Sequence, residues 1–108
     1  MSMTVYQNPI DRADFDDMDS FANKVSFAVK LRGSISWNEA YWRMYAPVAT
    51  VYTDDLDEAF EIMNLWNAPE RVEKHRPTHS LSVGDILKRG DEFWMVDPFG
   101  FTRITVSR

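Results

Sequence analysis

Two histidines, His75 and His79, stand four residues apart. On a helix that spacing puts two imidazoles on one face, as a divalent metal requires. Pro77 lies between them and breaks the regular helix this geometry needs. No third ligand has a supporting spacing, so the pair reads as solvated loop residues, and neither metal nor other cofactor is expected. Carboxylates crowd two stretches: Asp14, Asp16, Asp17 and Asp19, then Asp54, Asp55, Asp57 and Glu58. Oxygen donors in that density suit a hard divalent cation, yet neither stretch has the Asp-x-Asp-x-Asp-Gly spacing of a calcium loop. Both open a helical pattern, where the helix dipole favours negative charge, and capping with solubility accounts for them. Ser80 and Ser82 are candidate nucleophiles, but a nucleophile needs a base and an oxyanion site. The histidines belong to the loop, no Gly-x-Ser-x-Gly elbow is present, and Ser82-Val83-Gly84-Asp85 reads as a turn. There is no phosphate-cradling glycine loop or dinucleotide fingerprint. These patterns point away from an enzyme.

The aromatic residues carry more information. Trp37, Tyr41, Trp42, Met44 and Tyr45 fall within one short segment. At about 100° per residue, Trp37, Tyr41, Met44 and Tyr45 share a helical face, whereas Trp42 lies about 140° from Trp37. This reading puts Trp37 and Tyr41 in the core and Trp42 in a contact surface. Trp42, Tyr45, Trp94 and Phe99 are the candidate binding residues, since exposed aromatics mark contact surfaces. Core packing alone is the plainer explanation of the same residues.

The elements that must position these groups follow from periodicity and turn chemistry. Residues 3–6 suit a short strand. Phe15, Met18 and Ala22 recur at helical steps, giving a helix over 12–24; residues 25–32 fit helix or strand, and Gly33 serves as a C-cap signal. Ser36 and Glu39 match a capping box for a helix over 37–45, halted before Pro47. Val48 to Tyr52 reads as a buried strand. A third helix runs over 55–66, with Asp55 or Thr53 as N-cap and Leu56, Ala59, Phe60, Met63 and Trp66 as its apolar stripe. Residues 67–79, with two prolines and alternating charge, read as a mobile loop. The C-terminal stretch predicts a three-stranded meander over 84–88, 92–97 and 101–106. Its turns are Lys88-Arg89-Gly90-Asp91 and Asp97-Pro98-Phe99-Gly100, with Gly90 and Gly100 supplying positive φ. The expected fold is a single α+β domain over 1–108, a mainly antiparallel sheet with two to three helices packed on one face.

Composition sets the outer bounds. A 108-residue chain with 44% hydrophobic and 14% aromatic residues forms a globule rather than a disordered chain. The absence of cysteine removes disulfides and thiol chemistry and fits a cytoplasmic setting. The first residues lack the features of a signal peptide, and no apolar run reaches membrane-spanning length. A net charge of −5 counts against direct nucleic-acid binding.

Three local patterns occur together: Val48-Ala49-Thr50-Val51 leading into Asp54-Asp55-Leu56-Asp57-Glu58-Ala59-Phe60, then Ser80-Leu81-Ser82-Val83-Gly84-Asp85, then Val96 through Phe99-Gly100-Phe101. Their order and spacing resemble small uncharacterised proteins of phages, plasmids and other mobile elements, including those with a YodL-like domain. The resemblance covers about residues 48–106 and implies an accessory protein with no known catalytic residues. The leading expectation is therefore a non-enzymatic protein that binds another protein, such as a host protein, with self-association also open. One alternative is an acidic nucleic-acid mimic built on the clusters at 14–19, 54–58 and 91–92; another is a small ligand-binding or enzymatic domain.

Overall fold

Among the described residues, six antiparallel strands form one sheet in the order β3-β2-β1-β4-β5-β6. The strands are β1 Met3–Gln7, β2 Ala46–Val51, β3 Val72–Lys74, β4 Ile86–Arg89, β5 Glu92–Asp97 and β6 Gly100–Ile104. The structure is a computed structural model that describes residues 2–8, 33–65, 68–76, 78, 80–98 and 100–106. The expected helix over 12–24 and the ambiguous 25–32 lie outside the described residues.

The meander forms as the turn residues dictate, with slightly different limits. β4 and β5 close at Arg89↔Glu92, and β5 and β6 at Asp97↔Gly100. Gly90 and Gly100 take φ of 60° and 118°, conformations that cost a side chain. Gly84, placed at the start of the first strand, lies with Val83 in the turn expected over Ser82 to Asp85, and the strand begins at Ile86. In the middle of the sheet β1 pairs with β2 on one side and β4 on the other. Its register with β2 shifts between Val5 and Tyr6, which face Ala49 and Pro47, so Val48 is the extra residue of a bulge. Pro47 is accommodated within β2 beside this bulge, one of the places a sheet tolerates a residue without an N–H.

Among the described residues there is one α-helix, α1, Leu56–Leu65, rather than two to three. Asp55 starts it: its carboxylate accepts the Glu58 N–H at 3.1 Å and its carbonyl the Ala59 N–H at 2.9 Å. Ala59, Ile62 and Met63 are its buried positions. They pack with Met3, Val5, Val48, Ala49, Val51, Leu81 and Leu87 in one hydrophobic cluster.

The aromatic segment is not an α-helix. It comprises two 3-10 segments, Gly33–Ser36 and Glu39–Met44. The i→i−3 bonds Trp37 N–H to Ser34 carbonyl, Tyr41 to Asn38 and Tyr45 to Trp42, at 3.1, 2.8 and 3.0 Å, define this winding. Residues three apart then eclipse, which aligns Trp42 with Tyr45 instead of separating Trp42 from the core side. The segment contributes Trp37, Tyr41, Trp42, Met44 and Tyr45 to a second cluster with Tyr6, Ile86, Phe93 and Met95. Strand register places Val5 and Leu87 opposite one another, and Tyr6 and Ile86 opposite one another, so the two clusters occupy opposite faces of the sheet. The expected one-sided packing is thus corrected: α1 covers one face and the aromatic segment the other.

The stretch read as a mobile loop also holds structure. Pro69–Arg71 forms a 3-10 turn, and β3 follows directly. Ala49, Thr50 and Val51 pair with Lys74, Glu73 and Val72. Arg71 ties this turn to α1 through an ion pair with Glu58 and donates to the Tyr52 carbonyl at 3.0 Å.

Candidate binding surface

On the helix-side face, β4, β5 and β6 bring Leu87, Trp94 and Arg103 into one cross-strand row. Leu87 is buried, Trp94 half-buried and Arg103 exposed, so the row runs from core to solvent. The Arg89 guanidinium lies over the Trp94 ring, 5.5 Å from its centroid. Glu92 links the group. Its Oε1 accepts from Arg89 Nε at 3.2 Å and from Trp94 Nε1 at 3.3 Å, and its Oε2 lies 3.8 Å from Arg103. The bonds from Arg89 and then Trp94 hold the Glu92 carboxyl below its ordinary pKa, against a smaller opposing effect of desolvation. Arg89 also donates to the Asp54 carbonyl at 3.2 Å, anchoring it to the loop before α1. Phe101 lies opposite Val96 on the same face and meets Phe60 of α1 edge-to-face, with centroids 6.2 Å apart. Phe60 remains 37% exposed. Tryptophan, arginine and phenylalanine held in one partly open patch are the residue types that anchor protein interfaces.

The other candidate residues are placed differently. Tyr45 is only 9% exposed, and its hydroxyl donates to the Gly84 carbonyl at 2.5 Å. It faces the interior, not a partner. Burial, and then the negative charge of Asp85, push its phenol well above the ordinary tyrosine range. Trp42 is half-buried between Tyr6, 4.7 Å away by ring centroid, Phe93 at 5.2 Å and the stacked ring of Tyr45 at 6.1 Å. It belongs to the same cluster as Trp37 and Tyr41, so the predicted division between a core pair and a contact tryptophan does not hold. Trp37 fixes the segment to the chain beyond β6 by donating Nε1–H to the Thr105 carbonyl at 2.8 Å. Phe99 lies outside the described residues.

Two polar arrangements escaped the sequence reading. Gln7, 2% exposed, donates to Asp85 Oδ2 at 3.2 Å and accepts from the Thr78 hydroxyl at 3.0 Å. Asp85, 5% exposed, also accepts the Ser82 N–H at 2.9 Å, so the predicted turn exists and its aspartate is interior. Asp97 accepts both the N–H and the hydroxyl of Ser34, at 2.7 and 2.6 Å, and the Thr102 hydroxyl. Burial raises the Asp97 carboxyl, but the bonds from Ser34 and Thr102 outweigh it and leave the pKa below its ordinary value. The only sequence signal for either group was an aspartate beside a turn glycine or proline, which has a local explanation already.

His75 Nε2 lies 2.8 Å from Thr50 Oγ1 at the exposed β2–β3 edge, while His79 lies outside the described residues. Among the described residues no group of three or more histidine, aspartate and glutamate side chains is placed to hold a metal ion. The second acidic stretch is partly engaged in structure, through the Asp55 cap and the Glu58–Arg71 pair. No described helix is long and apolar enough to cross a membrane. Comparison of the chain with known protein families, with characterised proteins and with solved structures finds no match.

Proposed function

We propose that this protein is a non-enzymatic binding module whose target is another protein, engaged through the patch of Arg89, Trp94, Arg103, Phe101 and Phe60. The observation that carries this reading is the Trp94 site. A large ring is left half-open in the middle of a cross-strand row, with Arg89 lying over it and Glu92 fixing both. Side chains ordered before contact lose little conformational freedom on binding, which favours affinity. The interleaving of Arg71, Arg89 and Arg103 with Glu58 and Glu92 argues against a continuous negative stripe and hence against nucleic-acid mimicry. The resemblance of residues 48–106 to mobile-element proteins supports a host protein as the target and an accessory role in modulating a host process.

Affinity capture from the native host with wild-type protein and with Trp94→Ala tests the reading. The expected result is one or more specifically retained proteins whose recovery falls at least tenfold with Trp94→Ala, while the variant keeps a cooperative melt. Equal recovery by both proteins overturns the assignment of this patch.

A further inference from the structure

The two edges of the sheet are built differently. β3 has three residues, two of them charged, and is framed by the Pro69 turn and by His75 and Arg76. Short length and charge are the usual devices that keep an edge strand from pairing further. β6 has five residues, Gly100 to Ile104, with one charge and no proline. Among the described residues it pairs within the sheet with β5 alone, and Gly100, Thr102 and Arg103 are exposed. Such a strand offers a row of N–H and C=O groups to an incoming one.

We propose that β6 pairs antiparallel with β6 of a second copy of this chain, about a two-fold axis through Thr102. A two-fold axis normal to the sheet keeps every side chain on its own face, so it must pass through a residue position rather than between two. Centring on Arg103 opposes two guanidiniums, an unfavourable cross-strand pair. Centring on Phe101 overlaps only the first three residues of β6. Centring on Thr102 overlaps all five, pairing Thr102 with Thr102, Gly100 with Ile104 and Phe101 with Arg103. Thr–Thr is a favourable cross-strand pair, and each Arg103 lies beside the Phe101 ring of the other copy. The match is one of complementary chemistry: every charged residue of the edge meets an aromatic one. On the helix-side face this pairing joins the Trp94, Arg103 and Phe101 stripes of two copies into one. It holds or fails independently of any foreign target.

The chain has no cysteine, so Thr102→Cys carries a single thiol. In the proposed register the two Cβ atoms face each other at about 4.5–5.5 Å, and cross-strand neighbours at this approach can be bridged. Mild oxidation at micromolar protein is expected to link Thr102→Cys into a dimer at least tenfold faster than Asp91→Cys, whose thiol sits on the exposed β4–β5 turn. A second pair of variants reads the register without a cross-link. Phe101→Glu and Phe101→Lys remove the same ring from Phe60 but present opposite charges to Arg103 of the second copy. Sedimentation should show Phe101→Glu dimerising at least tenfold more tightly than Phe101→Lys. Equal cross-linking of the two cysteine variants, or equal association of the two charge variants, overturns the proposal.

Discussion

Gly33 sits against the carboxylate of Asp97: a Cβ built on Gly33 would collide with Asp97 Oδ1. Gly33 also has φ of 59° and is buried. Two independent requirements therefore converge on glycine here, a left-handed backbone and the close approach of a side chain sixty-four positions further along. The contact joins the start of the aromatic segment to the β5–β6 turn, because Asp97 bonds Ser34 on one side and Thr102 on the other.

Gly33→Ala should cost about 1–3 kcal/mol from backbone strain alone, plus the displacement of Asp97. Gly100→Ala meets only the backbone term, since nothing lies within 4 Å of its Cβ position, and should cost less. Denaturant melts of the two variants check the order. In the double variant Gly33→Ala/Asp97→Ala the collision disappears, so its loss should be smaller than the sum of the two single losses.

Acid titration should report Asp97. Its folded pKa is depressed, so its contribution is present above the unfolded value, about 3.9, and is lost as pH falls through the lower folded value. Wild-type stability should therefore decline below about pH 4, and Asp97→Asn should be less stable at neutral pH with a shallower acid limb. Identical acid slopes for the two proteins would sink this assignment.

At the alkaline end the relevant group is Tyr45. Its folded pKa is raised, so the stabilisation is complete below the unfolded value of about 10 and is lost as pH rises past it. Ultraviolet titration should show a phenol that resists ionisation until the protein unfolds, and Tyr45→Phe should remove that delayed step. The same substitution leaves the Gly84 carbonyl without its hydroxyl donor and should cost about 1–3 kcal/mol.

The tryptophan variants distinguish the two windings of the aromatic segment. In the 3-10 arrangement Trp37 and Trp42 share one cluster, so Trp37→Ala and Trp42→Ala should each destabilise by roughly 2–4 kcal/mol, less than a fully buried ring. Thermal melts in which Trp42→Ala matches wild type would restore the α-helical reading and the exposed position it gave Trp42.

The contrast between the legible and illegible parts of this chain has a physical basis. The meander was readable because Gly90 and Asp97-Pro98 with Gly100 are local turn chemistry that needs no distant partner. The start of α1 was readable for the same reason, from the Asp55 cap. β3 was hidden because Val72-Glu73-Lys74 has little to bury and is a strand only by virtue of the β2 edge beside it. The 3-10 winding was hidden because three- and four-residue spacings coexist in Trp37, Tyr41, Trp42, Met44 and Tyr45, and only the sheet beneath selects the tighter coil. Of the candidate site, Trp94 was legible as an aromatic of the meander. Its arginine and glutamate neighbours were not, because their grouping depends on register across three strands.

The position of β1 has a consequence for synthesis on the ribosome. Of the described strands, the first in chain order lies near the middle of the sheet, and one of its flanks pairs with β4, which ends at Arg89. At the usual elongation rate of about 5–20 residues per second, roughly 2–7 s separate the completion of β2 from the emergence of β4. Throughout that interval a nascent chain that has paired β1 with β2 carries a bare flank along Thr4, Val5 and Tyr6, the residues destined for Lys88, Leu87 and Ile86. This is the window in which a chaperone has something to hold.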